Sequence, residues 1–474
     1  MNLREGAHIH LIAACGTAMG SLAAMLSEKG YLVTGSDTHI YPPMSTYLQE
    51  IGIELFEGFV PENLHNKPDL IVVGNAISRG NLELEAALNA AIPYTSLPEI
   101  LRDLFIQGKR SVVVTGTHGK TTTTAMTAHL FSHCGLSPSF LVAGLTNNFS
   151  KPYHLGTGEH VIIEGDEYDS AYFAKWAKFF YYLPETLIIN NIEFDHADIY
   201  TSLSEITKAF RQIVNMVPQR GLIIAHAADE AVADVLNLAH APVQTVGIET
   251  DAFWRADIVS STPQGTDFTL YRQNKDLGSF HLPMHGAYNV RNALASIAAC
   301  HHAGVAPGSM QSGIASFKGV KRRQEVLGEW GNILLIDDFA HHPTAVEQTL
   351  QALATAYPQR RIWAVFEPAS ATNARSLFED QYLNAFADAD RVIIGKVPKP
   401  ERARGDEPFS PQRFVDKLNS QGKKALYFSQ AEEIVSHIED HLQSGDLVLF
   451  MSNSGFSGTQ QKLAARLQDK YEKR

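Results

Sequence analysis

Short β-branched apolar runs alternate along this chain with stretches whose apolar residues recur every three or four positions. The first run, residues 8–14, passes through a small-residue turn into a helical pattern that lasts to residue 26, and further runs follow at 31–35 and 69–74. A second series starts at residue 110 and continues through 160–164 and 186–191. The stretch 289–303 then carries Ala, Leu and Ile at helical spacing and stops at Gly304. A third series holds the runs 333–336, 362–366, 391–394 and 447–451. Such alternation predicts βαβ units and parallel sheets. Because the pattern restarts twice, we expect three α/β domains, at 1–108, 109–324 and 325–474. Each run ends in glycine, Asn, Ser or a carboxylate. In open α/β sheets ligands sit beyond the carboxyl ends of the strands.

Composition narrows the class without choosing a function. The 474 residues are 45% hydrophobic and 19% charged, ordinary for a multidomain globular protein. A formal charge of −12 argues against general nucleic-acid binding. Cys15, Cys134 and Cys300 lack metal-binding spacing and read as small buried hydrophobes in a reducing compartment. The N-terminus shows no apolar signal region, and no run is long enough to cross a bilayer. A cytoplasmic protein without a membrane partner is expected.

The chemistry concentrates at the ends of the runs. Val112-Val113-Val114-Thr115 leads into Gly116-Thr117-His118-Gly119-Lys120-Thr121-Thr122, an apolar strand followed by a glycine turn and Gly-Lys-Thr at a helix start. Amides of such a turn grip phosphates, a lysine neutralises β/γ oxygens, and a hydroxyl holds magnesium. The usual signature has a further glycine where this chain has Val114, so the loop is a shorter variant. Glu164, Asp166, Glu167 and Asp169 put four carboxylates in six residues after a buried strand. They cannot all be buried unpaired, and a magnesium ion would compensate them. His196 follows another strand end, either as a metal ligand or as a ring held by Asp195. Asp337-Asp338 with His341-His342-Pro343 reads either as a ribose and phosphate site or as a helix-capping cluster. Lys321-Arg322-Arg323 is either a solvated linker or a cation clamp for a transferring phosphoryl group. Cys15-Gly16-Thr17-Ala18-Met19-Gly20 is half of a dinucleotide fingerprint with Ala14 in place of its first glycine. Asp37 stands about 20 residues on, where an acid meets a ribose.

Taken together, these residues resemble the Mur ligase family, the ATP-dependent amide-forming enzymes of peptidoglycan assembly, over nearly the whole chain. The resemblance implies a Rossmann-like N-terminal UDP-sugar domain, a central P-loop ATPase-like domain and a Rossmann-like C-terminal domain that admits the amine substrate. It implies ATP and Mg2+ as cofactors. Gly116, Thr117, His118, Gly119, Lys120, Thr121 and Thr122 match the family's ATP loop. Asn289 and Asn292 lie in its adenine-side element, Arg322 or Arg323 matches its phosphate-contacting arginine, and Asp338 its ribose acid. Glu164 and His196 fall on its magnesium ligands, with Thr121 beside them. Cys15, Gly16, Thr17, Met19, Ser36, Asp37, Asn75 and Ser78 are the expected UDP-sugar contacts. His341 or His342 is the candidate acceptor of the amine proton.

Two branches of the family share the motifs at 15–20 and 337–343, one adding L-alanine to UDP-N-acetylmuramate and one adding a murein tripeptide. The stretches 41–46, 74–81, 166–169, 191–198 and 451–458 resemble the tripeptide branch. This implies UDP-N-acetylmuramate and L-Ala-γ-D-Glu-meso-diaminopimelate as substrates, in peptidoglycan recycling, for a monomer or weak homo-oligomer; L-alanine addition is the alternative.

Overall fold

The computed structural model describes residues 3–38, 40, 44–195, 199–370, 372–398, 401 and 407–472. The chain divides into two compact units, one made of 1–193, 203–246 and 295–313, the other of 194–202, 247–294 and 314–474.

Among the described residues, the first unit holds two larger sheets and a two-stranded hairpin. Strands β1 (His8–Ile12), β2 (Leu32–Asp37), β3 (Glu54–Glu57), β4 (Leu70–Val73) and β5 (Tyr94–Ser96) form a parallel sheet in the order β3-β2-β1-β4-β5. Its order reverses between β1 and β4, which opens a crevice beyond their carboxyl ends. The helix Thr17–Glu28 follows β1 because Leu22, Ala23, Met25 and Leu26 recur on the face that it buries. The turn between them needs a left-handed residue, and Ala13 takes φ +69° there.

The second sheet begins with β6 (Arg110–Thr115), β7 (Ser139–Leu141), β8 (Tyr153–His154) and β9 (His160–Glu164). A separate antiparallel hairpin follows, β10 (Asp169–Ala171) and β11 (Ala174–Ala177). Strands β12 (Thr186–Ile189), β13 (Leu222–His226) and β14 (Val243–Ile248) then run in the order β14-β13-β12-β6-β9-β7-β8. The neighbours are parallel through the centre, and β7 pairs antiparallel with β8. β6 is central and buried on both faces, with Val112, Val113 and Val114 at 2% exposure or less. Its sequence therefore reads as a continuous apolar run rather than an alternation. Each of those valines contributes roughly 1.5–2 kcal/mol of burial, which fixes the strand whose end carries the glycine loop. The hydroxyls of Tyr47, on the helix Met44–Glu50, and of Tyr153 in β8 lie 3.0 Å apart.

The second unit carries an antiparallel meander, β15 (Trp254–Thr262), β16 (Gly265–Arg272) and β17 (Lys275–Leu282). The hydrophobic pattern did not announce it, because only one face is buried and apolar residues alternate with polar ones. A six-stranded sheet follows: β18 (Glu325–Trp330), β19 (Ile333–Asp338), β20 (Arg361–Phe366), β21 (Arg391–Ile394), β22 (Lys424–Tyr427) and β23 (Asp446–Met451), in the order β18-β19-β23-β20-β21-β22. All its pairs are parallel except the β18 edge. Period-two alternation sorts β19 to both faces. Leu334 and Ile336 pack with Val346, Leu350 and Leu353 of the helix Pro343–Ala356. Ile333 and Leu335 pack with Ile434, Val435 and Ile438 of the helix Ala431–His441 on the other face.

Among the described residues, no helix is long and apolar enough to cross a membrane. The cysteines are free as expected, yet only Cys300 is buried; Cys15 and Cys134 are half-buried near helix ends.

Candidate active site

Three adjacent strand ends build the phosphate loop's surroundings: β6 supplies the loop, β9 ends in Glu164, and β12 runs into Asn190 and Asn191. Gly116 has φ +128°, and a Cβ there would stand 3.0 Å from Asn190 Cβ and from Asn191 N and O. Only glycine fits both the backbone angle and the gap. Gly119, at φ +79°, caps the helix Lys120–His133. The sequence reading aimed all the loop amides at phosphate, and the structure alters this. Thr117 N donates to Asn191 O at 3.2 Å, and His118 N to Asn191 Oδ1 at 2.8 Å. The amides with no intrahelical acceptor by position are those of the first helical turn, from Gly119 on, and these suit an anion. Asn190 and Asn191 brace the loop; the sequence placed Asn191 at a strand end and in the family-like stretch 191–198 but gave neither residue a role.

The four-carboxylate segment resolves into distinct partnerships. Thr121 Oγ1 donates to Glu164 Oε1 at 2.9 Å. Asp166 pairs with Lys178 at 3.0 Å, Glu167 with Lys120 at 2.9 Å, and Asp169 with Lys175 at 2.6 Å. Three lysines thus carry out the compensation that the sequence reading gave to a metal. The Glu164 carboxylate and the Thr121 hydroxyl form an all-oxygen pair, a donor set of the kind Mg2+ takes. The expected companion of Glu164, His196, lies outside the described residues. Burial works against the Lys120 ammonium, but Glu167, Asp166 and Glu164 more than offset it, and its pKa lies above the ordinary lysine value.

In the second unit, Gln324 is the residue that sequence reasoning missed. It sits at φ +50°, two residues after Arg322 at φ +58°. Its side-chain amide donates to Tyr288 Oη at 2.6 Å and to His285 O at 3.2 Å, and accepts from His285 N at 3.1 Å. Its backbone N–H donates to Asp338 Oδ2 at 2.7 Å, while Ala340 N donates to Oδ1, also at 2.7 Å. Gln324 therefore ties the segment holding Asn289 and Asn292 to Asp338. Asn292 Nδ2 donates to Asn289 Oδ1 at 3.2 Å, and Asn289 Nδ2 to His285 O at 2.9 Å. Burial pushes the His285 imidazole down to about 4 and Asp338 above the usual carboxylate range.

The two arginines part company. Arg322 Nη2 donates to the carbonyls of Ser452 (2.6 Å) and Ser454, and Nε lies 3.4 Å from Asp337, so the guanidinium holds the segment after β23. Arg323 stacks over Phe339 with its guanidinium carbon 4.2 Å from the ring centre. His341 Nδ1 lies 2.9 Å from Phe339 O; a carbonyl only accepts, so Nδ1 carries the hydrogen and Nε2 is the basic nitrogen of the neutral ring. His342 caps the helix Pro343–Ala356 and packs edge-on to Phe378 at 5.0 Å.

At the first sheet's crevice, Gly16, Thr17, Asn75 and Ser78 are exposed, whereas Met19 is buried. Asp37 Oδ2 accepts from Cys15 N at 2.9 Å, bracing the turn, and burial followed by the Asp37 charge pushes the Cys15 thiol up to about 11. Ser36 points inward: its hydroxyl donates to the buried Glu83 at 2.6 Å, and Glu83 also holds His10 at 2.8 Å. Its side chain is thus committed to the core of the sheet rather than to a ligand. Of the 41–46 motif, residues 41–43 lie outside the described residues.

Comparison with known proteins bears on this constellation directly. The Mur ligase middle domain matches residues 114–300, the glutamate ligase domain of Mur ligases 322–454, and the Mur ligase family catalytic domain 8–109. The chain belongs to the Mur ligase family. It is an ATP-dependent ligase with that family's three-domain α/β fold. Among its relatives is the UDP-N-acetylmuramate–L-alanyl-γ-D-glutamyl-meso-2,6-diaminoheptandioate ligase of Escherichia coli, 37% identical over 98% of this chain and 99% of that one. A UDP-N-acetylmuramate–L-alanine ligase of Acetivibrio thermocellus is 32% identical over 94% and 92%. The solved murein peptide ligase of Psychrobacter arcticus superposes with a TM-score of 0.73 at 34% identity, over 98% of this chain and 99% of that one. The alanine ligase of Thermotoga maritima superposes at 0.82 with 26% identity, over 98% and 100%.

Proposed function

We propose that this Mur ligase joins L-Ala-γ-D-Glu-meso-diaminopimelate to UDP-N-acetylmuramate, with ATP converted to ADP and phosphate. The observation that carries this reading is the 37% identity, along nearly the whole chain, with a ligase named for that tripeptide. L-Alanine as the amine is the second reading, favoured by the higher TM-score of the Thermotoga enzyme. Identity decides for the tripeptide, because choice of the incoming amine rests on side chains rather than on the path of the backbone.

A carboxylate is a poor acyl donor, since its leaving group would be oxide. Transfer of the γ-phosphoryl group makes an acyl phosphate that an amine can attack. In phosphoryl transfer the protein mainly positions groups and stabilises charge. We assign Lys120 and the amides of Gly119–Thr122 to the β/γ phosphates, and Arg323, Asp338, Asn289 and Asn292 to the nucleotide by family resemblance. Magnesium held by Thr121 and Glu164 would supply positive charge to the phosphate oxygens. Nε2 of His341 takes the proton of the attacking amine, which restores the neutral amide product. Cys15, Gly16, Thr17, Asn75 and Ser78 line the crevice assigned to the UDP-sugar. The reaction is placed in the cytoplasm, by a monomer or weak homo-oligomer.

Phosphate release with UDP-N-acetylmuramate and ATP tests the assignment. Turnover is expected with the tripeptide and not with L-alanine; turnover with L-alanine and none with the tripeptide would overturn it.

A further inference from the structure

Glu167 has no part in the chemistry outlined above, yet it is 2% exposed and, among the described residues, makes the closest charged contact of the loop lysine. Lys120 Nζ lies 2.9 and 3.2 Å from the two Glu167 oxygens and 2.6 Å from Gly116 O. An ammonium has three N–H bonds and no acceptor capacity, so these three oxygens use it completely. A phosphate oxygen that reaches Lys120 has to displace one of them. Gly116 O belongs to the loop backbone, pinned by the lack of space at its Cα. The carboxylate is the exchangeable partner, and it matches a phosphate in charge sign and in presenting two oxygens.

The backbone on either side of Glu167 is anchored. Asp166 is anchored by Lys178 at 3.0 Å, and Lys178 lies 4.0 Å over the Tyr168 ring. The backbone closes with Phe179 N donating to Asp166 O and Lys178 N to Tyr168 O, both at 3.3 Å. A Cβ on Gly165 would meet Val113 Cγ1 at 2.7 Å, so the segment lies flat on the end of the sheet. The neighbouring acids have their own partners, so among the described residues Glu167 alone answers the Lys120 charge at hydrogen-bond distance.

We propose that Glu167 is a positioning residue that stands in for phosphate: it holds the Lys120 ammonium in the loop before nucleotide arrives and yields it to the β/γ oxygens. It thereby competes with the nucleotide. This inference rests on the loop Gly116–Thr122 being the nucleotide site. Removing the negative charge leaves Lys120 buried and under-paired in the empty protein but not in the complex. Neutralisation therefore raises nucleotide affinity, whereas a merely structural role for Glu167 would lower it.

The test is calorimetric titration of the full chain with MgADP, with melting curves taken with and without it. Glu167→Gln is expected to bind MgADP about tenfold tighter, roughly 1.4 kcal/mol, and to gain more thermal stability from saturating MgADP than the wild type does. Should Glu167→Gln not fold, Glu167→Asp, which draws the carboxylate back by one methylene, is expected to tighten binding about threefold. Unchanged or weaker binding by a folded variant overturns the inference. Lys120→Ala separates the two levels. Loss of MgADP binding there, with no tightening in Glu167→Gln, overturns the competitor role alone; wild-type binding by Lys120→Ala overturns the loop assignment as well.

Discussion

Asp337→Asn should make this protein more stable at neutral pH, by an amount that vanishes in acid. Asp337 is 2% exposed at the end of β19. Burial pushes its carboxyl from 3.8 to about 6, against the pull of Arg322 and a hydrogen bond from Gln460, with Asp338 pushing further up. The folded chain therefore holds this proton more tightly than the unfolded chain. Stability falls as pH rises from 3.8 through 6, and the full penalty applies above 6. That penalty is about 3 kcal/mol. Asn removes the charge, and the pull of Arg322 across 3.4 Å is already contained in that net shift. The gain is therefore about 3 kcal/mol at pH 7.5. At pH 4.5 the wild-type penalty, and the gain with it, shrinks to about 1 kcal/mol. Urea unfolding of both proteins at the two pH values measures this. A variant no more stable than wild type at pH 7.5, or equally stabilised at both pH values, would refute the reasoning.

Three further outcomes follow from the site. Glu164→Gln removes the charged half of the Thr121–Glu164 oxygen pair, so the magnesium concentration for half-maximal turnover should rise at least about tenfold while UDP-sugar binding is unchanged; an unaltered magnesium dependence would take Glu164 out of the metal site. His341→Ala should slow amide formation by about a hundredfold or more, while phosphoryl transfer, followed by isotope exchange, continues; equal loss of both steps would deny the histidine its role as base. Gly116→Ala puts a Cβ 3.0 Å from Asn190 and Asn191 at φ +128°, a strain of about 1–3 kcal/mol. Its KM for ATP should rise about tenfold or more, and unchanged ATP kinetics would show that the loop has room that the structure denies it.

Much of the architecture was legible because parallel central strands are buried on both faces. β6, β9, β12, β19, β20, β21 and β23 all coincide, to within a few residues, with apolar runs in the sequence. The edge and meander strands were not legible: β3, β22 and β15–β17 bury one face at most and carry too few consecutive apolar residues. The candidate site divides in the same way. Gly116, Gly119, Lys120, Thr121 and Glu164 announce themselves by spacing, because backbone geometry and phosphate chemistry demand those residue types in that order. Gln324 has no such signature; its importance comes from reaching His285, Tyr288 and Asp338, which lie 39, 36 and 14 positions away.

The sequence by itself determined that strand ends present a phosphate loop, acids and histidines, and that the chain resembles Mur ligases. Local order suffices for that, since turns, caps and buried strands are written in neighbouring residues. Only the tertiary structure decided which acid faces which cation. Four carboxylates in six residues look alike in the chain, and their pairing with Thr121, Lys178, Lys120 and Lys175 depends on where β9 and the β10–β11 hairpin lie against the loop. It likewise turned Arg322 toward the carbonyls after β23 and Ser36 toward Glu83. A side chain's partner is set by distance through the fold, and sequence separation carries little information about it.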